Sequence, residues 1–434
     1  MNQTREQFTN NSLLSLVREA LSQHHKDKPK QYDISTVDSL MSGLAVFSLK
    51  YPSLLQFEND RQSEKPLGHN LQTLYGVKRA PCDTQMRERL DGLDLTGIRS
   101  AGKALLNRLQ RGKVLEQWKF LDKYYVVSLD GTGFFSSPTV HCDSCCEKHY
   151  KDGEVIYNHQ MVVGSIVHPQ MRQVLPIGFE PIIKSDGQQK NDCERNASKR
   201  WLEEFKRAHP KLPTIIVGDG LFSNGPFIDM LEYHHCHYIL VCQEKDHKYL
   251  YDWFWKGETP DVREFEETVD GVHKRYRYME NVPLNESRSE KLVNAIYYEE
   301  TDTEGIKRRW LWVTDLKVTR QTIKEIVKGG RARWKIENET FNTLKNQGYH
   351  FDHNYGHGYK TLSNVLAGLM LLAFLIDQCL EAVNLDFKKV LQKLGTRTRL
   401  WQKIRSGIQW FLIESWETLY ASILDPPDLV LKSA

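Results

Sequence analysis

Residues 213–220 read Pro-Thr-Ile-Ile-Val-Gly-Asp-Gly (PTIIVGDG). The run from Ile215 to Val217 is β-branched and apolar at every position, bounded by Pro213 on one side and Gly218 on the other. Such a run is a strand buried on both faces, as at the centre of a mixed or parallel sheet. It ends in a bare Asp219-Gly220. Upstream, Tyr124–Leu129 (YYVVSL) has the same β-branched and aromatic texture and also ends in Asp-Gly, at Asp130-Gly131-Thr132-Gly133. Between and beyond these two strands the pattern alternates. Strands are expected over 154–168, 173–183 and 237–242, with a charge-rich helix over 191–209 and a short helix over 225–232. The fold class is α/β.

Outward from this centre the texture changes twice. Residues 1–120 read as short helices: Leu13, Leu16, Val17, Ala20 and Leu21 recur at helical spacing, as do Val37, Leu40, Met41, Leu44 and Phe47. After Pro81, Asp83 can cap a helix carrying Arg87 and Arg89. With 70–76 it makes either a helix-turn-helix or one corner of a plain helical bundle with a basic face. From 121 to 243 runs the first part of the α/β core. Residues 244–317 return to strands with turn residues between, which reads as an inserted β subdomain. From 318 to 384 the core resumes, with helices over 319–328 and 332–346 and a pause at Gly329-Gly330. A helical region, 385–434, closes the chain. The longest apolar run, Val365 to Ile376, has 12 residues, short of the roughly 17–25 needed to cross a bilayer, so it is expected to be a buried helix and no membrane partner is expected.

The chain has 434 residues, 40% hydrophobic and 26% charged. That excludes a mainly disordered or collagen-like protein, and the length calls for two or three domains. Its formal net charge of +3 by itself argues against a nucleic-acid binder, but the charge is unevenly placed. Between Lys307 and Lys345 stand 11 basic residues against Asp315, Glu325, Glu337 and Glu339. Such a tract suits phosphate. Met1 to Phe8 is polar with no apolar stretch behind it, so no secretory signal is expected. The eight cysteines are then thiols or metal ligands in a reducing, cytoplasmic compartment.

Asp130 and Asp219 close adjacent strands, and an α/β fold places its site where such strand ends meet. Glu337, on the helix Arg331-Ala332-Arg333-Trp334-Lys335-Ile336-Glu337-Asn338, is the third candidate. Two aspartates and a glutamate make a hard, all-oxygen site suited to Mg²⁺ or Mn²⁺. Two such ions, about 3.5–4 Å apart, suit in-line phosphoryl transfer.

The stretches LDGTGFF around Asp130, IIVGDG around Asp219 and RARWKIENETFNTLK around Glu337 resemble the three acidic blocks of insertion-sequence DDE transposases. More narrowly, they resemble the group with a Tyr-Arg-Glu-Lys signature and a β-rich insertion before the Glu. The resemblance covers roughly residues 120–360 and implies an RNase H-like catalytic core. It implies that Asp130, Asp219 and Glu337 hold two Mg²⁺ ions. Arg333, four residues before Glu337 on the same helical face, would hold a DNA phosphate, and Trp334 matches the family's following aromatic. In the insertion, Trp310 and Trp312 stand beside Lys307, Arg308 and Arg309, a pattern suited to base stacking with phosphate contact. The resemblance implies that one of these tryptophans holds a flipped base.

The partners implied are double-stranded DNA, both element ends and target, and a second copy of the chain in the synaptic complex, at the nucleoid. The helical N-terminal region, with Arg87 and Arg89, would recognise the ends. Two positions depart from the signature. Its Tyr position is Gly330, and its Lys position is Leu344, with Lys345 one residue late. One residue turns a side chain by about 100° around a helix. Two rival readings stand beside strand transfer: an RNase H-like nuclease that cuts without joining, and a catalytically silent, transposase-derived DNA-binding protein.

A second cluster, His141-Cys142-Asp143-Ser144-Cys145-Cys146-Glu147-Lys148-His149, has the C-x-x-C spacing of a zinc knuckle at Cys142 and Cys145, with His149 following. The fourth ligand of a structural zinc site is open among Cys146, His141, His159 and Cys193, and reduced thiols packing a hairpin are the alternative. The loop histidines His350, His353 and His357 are candidates for lining the catalytic site.

Overall fold

The computed structural model describes residues 7–27, 34–187, 190–255, 262–286 and 288–427. Its strands are β1 (Lys119–Phe120), β2 (Tyr124–Ser137), β3 (Cys146–His149), β4 (Val155–Val167), β5 (Leu175–Ile182), β6 (Thr214–Gly218), β7 (His237–Val241), β8 (Arg263–Val269), β9 (Val272–Asn285), β10 (Arg288–Thr301) and β11 (Lys307–Thr314). They share one sheet, in the order β3-β4-β2-β6-β7-β11-β10-β9-β8, with β1 on β2 and β5 on β4. The core of it is β5-β4-β2-β6-β7. There β5, β4 and β2 run antiparallel, while β2, β6 and β7 run parallel. This is the RNase H-like mixed sheet. As the PTIIVGDG stretch predicts, every residue of β6 is buried.

The insertion is not a separate layer. Its last strand, β11, pairs antiparallel with β7 through Trp312↔Val241, Val313↔Leu240 and Thr314↔Ile239, so β8–β11 extend the core sheet sideways. On one face the helix Lys190–Ala208 lies across β4 and β5. Its Trp201 ring rests on Gly164 and Gly178, which pair across those strands. A Cβ on Gly164 would overlap that ring, so only glycine fits.

His209, just after this helix, is buried against Phe205 with ring centroids 5.7 Å apart. Burial, with the nearby Lys103 and Lys206 charges, lowers its pKa from 6.5 to about 4. Between those values the unfolded chain binds a proton that the folded chain refuses. Stability therefore falls as pH drops from 6.5 towards 4, by up to about 3 kcal/mol from this group. Urea unfolding at pH 7 and pH 4.5 should show a smaller loss in His209→Gln than in the native chain. Equal losses would remove His209 as the cause.

The two helical regions that the sequence places at opposite ends share one core. Helices Asn10–His24, Thr36–Ser48, Leu54–Ser63, Lys65–Tyr75, Asp83–Leu90 and Thr96–Arg111 precede the sheet; Leu362–Val383, Leu385–Leu394, Arg397–Trp410 and Trp416–Leu424 follow it. Asn70 donates to the carbonyls of Ile408 and Phe411, both at 2.7 Å. Trp416 Nε1 donates to Leu74 O at 3.3 Å, and Tyr420 donates to Asn10 Oδ1 at 2.8 Å. Leu362–Val383 is long and apolar enough to span a bilayer, yet its apolar window is wholly buried inside the protein.

Arg87 and Arg89 are not a free basic face. Arg87 pairs with Asp83 at 2.8 Å and donates to Tyr355 O at 3.2 Å, and Arg89 donates to Ile34 O at 2.7 Å. They fasten Asp83–Leu90 to its neighbours.

Candidate active site

Asp130 does not close its strand. β2 runs seven residues further, to Ser137, because β4 continues to pair with it beyond the point where β6 stops. Asp219 comes beside Asp130 all the same. Ser128 is level with Val217 in the parallel β2–β6 register, so two residues on, Asp130 stands level with Asp219, the first residue past β6. Asp130 Oδ1 accepts the Gly131 N–H at 2.9 Å, and Asp219 Oδ1 accepts that of Leu221 at 2.9 Å.

The third carboxylate arrives on a helix pinned to β2. Ser128 Oγ donates to Arg333 O at 3.0 Å. Arg333 Nη1 then lies 2.6 Å from Glu337 and 3.8 Å from Asp130. Burial raises the Asp130 pKa to about 7, the Asp219 and Glu337 charges add to the rise, and Arg333 opposes it. Asp130 thus feels two neighbouring carboxylates and one cation. A fourth carboxylate, Glu194, is buried against Gly131, its carboxyl carbon 2.9 Å from where a Cβ would stand. No local pattern in the sequence marks Glu194, because it lies mid-helix among other charged residues.

The helix that carries Glu337 accounts for both departures from the signature. It passes through Gly329-Gly330 without the expected pause, as Ile323–Arg331. A Cβ on Gly330 would stand 2.9 Å from the Trp312 ring and one on Gly329 2.9 Å from Phe120. The helix lies too close to the sheet for a tyrosine at 330. It then tightens to 3₁₀ at Ala332–Trp334 and opens to a π-helix at Ile336–Phe341 before Asn342–Asn346 resumes the α form. A π segment, bonded i to i+5, absorbs one extra residue. Lys345, eight residues after Glu337, therefore comes to the face that a seventh residue takes on a regular α-helix. Leu344 points into the core, whereas Lys345 stays partly exposed with Asp352 3.3 Å away.

The remaining candidates divide. Trp334 is 45% exposed. Trp310 is half-buried, stacked between Tyr298 at 5.6 Å and Trp312 at 6.1 Å, with the Arg331 guanidinium 4.8 Å from its ring. Trp312 is only 1% exposed; it packs the insertion against the Gly330 helix and presents no ring to a base. Arg308 pairs with Glu300 at 3.6 Å and Asp302 at 3.3 Å, and Arg309 pairs with Glu299 at 2.8 Å. Lys307, Arg331, Lys324 and Lys345 likewise pair with Glu299, Glu300, Glu267 and Asp352. All these acids lie outside the 307–345 tract, so the excess of positive charge along the sequence is largely matched in space.

In the cysteine cluster, Cys142 and Cys145 come together with His159 of β4 and with His357. Cys146 and His149 point elsewhere: Cys146 Sγ is 3.6 Å from Ile182 O, and His149 pairs with Glu147 at 3.2 Å on the surface. Both lie on β3, which begins after Cys145. His357, which the sequence leaves as a loop histidine, is the ligand-type residue that spacing could not reach.

A family model described as "Transposase DDE domain" matches residues 123–375, the span that holds Asp130, Asp219 and Glu337. Comparison with curated protein sequences gives no match. Among solved structures, the chain is similar to one described as a cryo-EM structure of the piggyBac transposase synaptic complex with hairpin DNA. The identity is 9%, the TM-score is 0.40, and 99% of this chain and 82% of that one are covered.

Proposed function

The chain belongs to the transposase DDE family, and on that premise we propose that it binds the inverted-repeat ends of an insertion sequence, cleaves a strand there and joins the freed 3′-hydroxyl to target DNA. The observation that supports this reading is that Asp130 lies within reach of the Asp219 and Glu337 charges, with Arg333 3.8 Å from Asp130 and 2.6 Å from Glu337. The donor set suits hard divalent cations. Its donors are carboxylate oxygens, and the mutual repulsion that helps lift Asp130 is what a cation relieves. Asp130, Asp219 and Glu337 would hold two Mg²⁺ or Mn²⁺ ions, which when bound supply activation of an oxygen nucleophile and stabilisation of the leaving oxygen.

The chain's own residues do the rest. Arg333 bridges Asp130 and Glu337 when no other anion is present, and a scissile phosphate takes its place among those contacts with a bidentate geometry that suits guanidinium. Ser128 holds the Arg333 backbone to β2, so the arginine and Asp130 keep one spacing. Trp334, exposed one residue on, lies against a base or sugar beside the phosphate. Lys345, brought round by the π-helix, adds a second phosphate contact. Trp310, backed by Arg331, offers the insertion's stacking surface for a displaced base. Two ends are held together by two copies of the chain.

A radiolabelled duplex carrying the element's terminal repeat, incubated with the full-length protein in Mg²⁺ or in EDTA, tests the reading. Nicking at the repeat boundary in Mg²⁺ alone is expected. A retarded but uncut duplex in both would mark a silent binder, and cleavage independent of the repeat would mark a nuclease.

A further inference from the structure

Four ligand-type side chains, Cys142, Cys145, His159 and His357, converge at the Cys142–Cys145 knuckle. With metal–sulfur bonds of about 2.3 Å, metal–nitrogen bonds of about 2.0–2.1 Å and tetrahedral angles, the edges of a Cys₂His₂ site come to about 3.8 Å between sulfurs, about 3.6 Å between sulfur and nitrogen and about 3.3 Å between nitrogens. Here the two thiols are 3.9 Å apart. His159 Nε2 lies 3.6 Å from Cys142 and 3.4 Å from Cys145. His357 Nε2 lies 3.2 Å from Cys145 and 3.1 Å from His159 Nε2, and all four ligand atoms fall within 4.8 Å of one another. Five of the six separations are near the corresponding edges, and the sixth, Cys142 to His357, lies within 4.8 Å. We propose that Cys142, Cys145, His159 and His357 bind one structural Zn²⁺ ion.

The surroundings support the assignment independently of those distances. His357 Nδ1 is 2.9 Å from Gly358 O. Only an N–H can face a carbonyl, so Nδ1 carries the proton and Nε2 turns its lone pair to the centre, the usual arrangement for a metal-bound imidazole. The Cys145 N–H donates to Cys142 O at 3.1 Å, and the Cys142 N–H reaches Cys145 Sγ at 3.5 Å; this turn presents both sulfurs to one side. Phe134 stacks on His159 and Phe135 packs on His357 at 4.5 Å, closing the site from water. Cys145, His159 and His357 are buried. Two thiolates balance a dication, so the assembly buries no net charge.

The donor set selects the metal. Two sulfurs and two imidazoles suit Zn²⁺ and lack the oxygens that Mg²⁺ or Ca²⁺ require. Four protein ligands leave no open position, which makes the site structural. Its ligands come from the loop between β2 and β3, from β4, and from the loop between the Glu337 helix and Leu362–Val383. The ion thus ties the strand pair that carries Asp130 to the segment following Glu337, across the whole insertion.

The test is metal analysis of the full-length protein, expressed with zinc and purified without chelator, and it does not depend on any activity. About one zinc per chain is expected. Cys145→Ser and His357→Ala should each lose it, whereas Cys146→Ser and His149→Ala should keep it. Where Cys145→Ser does not fold, His357→Cys keeps four ligands and should retain the ion. Cobalt bound in place of zinc should give the intense absorption of a tetrahedral thiolate site, with a stronger sulfur charge-transfer band in His357→Cys. Protein that contains no tightly held metal, zinc lost equally from Cys146→Ser, or a Cys142–Cys145 disulfide under reducing preparation would each overturn the proposal.

Discussion

Asp130→Asn is expected to abolish Mg²⁺-dependent nicking of a labelled element end while leaving the retarded complex with that end intact. Asparagine keeps the volume and the Gly131 N–H contact of Asp130 Oδ1, so the fold has little reason to change. It removes the charge that shares the corner with Asp219, Arg333 and Glu337. One carboxylate fewer weakens cation binding and leaves Arg333 paired to Glu337 alone. A fall in the nicking rate of at least about 10³-fold corresponds to about 4 kcal/mol of barrier. Single-turnover nicking measures the loss and a mobility shift measures the retained binding. Nicking by Asp130→Asn within tenfold of the native rate would show that Asp130 holds no catalytic cation.

The largest expected effect on stability comes from Lys50 and Asp377. Lys50 Nζ lies 2.7 Å from Asp377 Oδ2, 3.1 Å from the carbonyls of Phe47 and Ser48, and 3.7 and 4.0 Å from the Tyr349 and Trp401 rings. Tyr349 also donates its hydroxyl to Asp377. Both charged side chains are almost fully enclosed, and burial pulls the Lys50 pKa down to about 8 against the pull of Asp377. Removing one partner leaves the other charged and unpaired in the core. Lys50→Met is therefore expected to cost about 3–5 kcal/mol. The double variant Lys50→Met/Asp377→Leu removes both charges and should recover most of that. Guanidinium unfolding of the native chain, both single variants and the double variant closes the cycle. Losses that simply add would mean that the pair is not coupled. Because Lys50 follows Thr36–Ser48 and Asp377 lies on Leu362–Val383, strong coupling would also tie the N-terminal helices to the helix after the catalytic core.

The parts of this molecule legible in its sequence are those set by short-range pattern. β6 declares itself because Ile215, Ile216 and Val217 are apolar on both faces. The three carboxylates stand out because each sits after an apolar strand-like run or on a helix whose texture is local. What the sequence hides is decided by distant partners. Asp130-Gly131 reads as a strand end, yet β2 continues because β4 pairs with it past β6. Gly330 reads as a break in the helix and a missing tyrosine; the reason is Trp312 on β11, which packs against it. Lys345 reads as one residue late because a π-helix, which takes up one extra residue, leaves no mark in the sequence. The basic tract from Lys307 reads as unbalanced because its acids, Glu299, Glu300 and Glu267, precede it on neighbouring strands. His357 joins Cys145 from 212 positions away, with the insertion and the Glu337 helix between them in the chain.

Strand transfer itself gives the most direct test. The full-length protein is mixed with Mg²⁺, a duplex ending in the element's pre-cleaved terminal repeat with a labelled 3′-hydroxyl strand, and an unlabelled supercoiled plasmid. Label covalently joined to the plasmid, absent in EDTA and absent with Asp130→Asn, Asp219→Asn or Glu337→Gln, is the predicted result. A protein that binds the repeat and Mg²⁺ yet leaves every labelled strand unjoined, or that joins strands equally well without these carboxylates, would contradict the account.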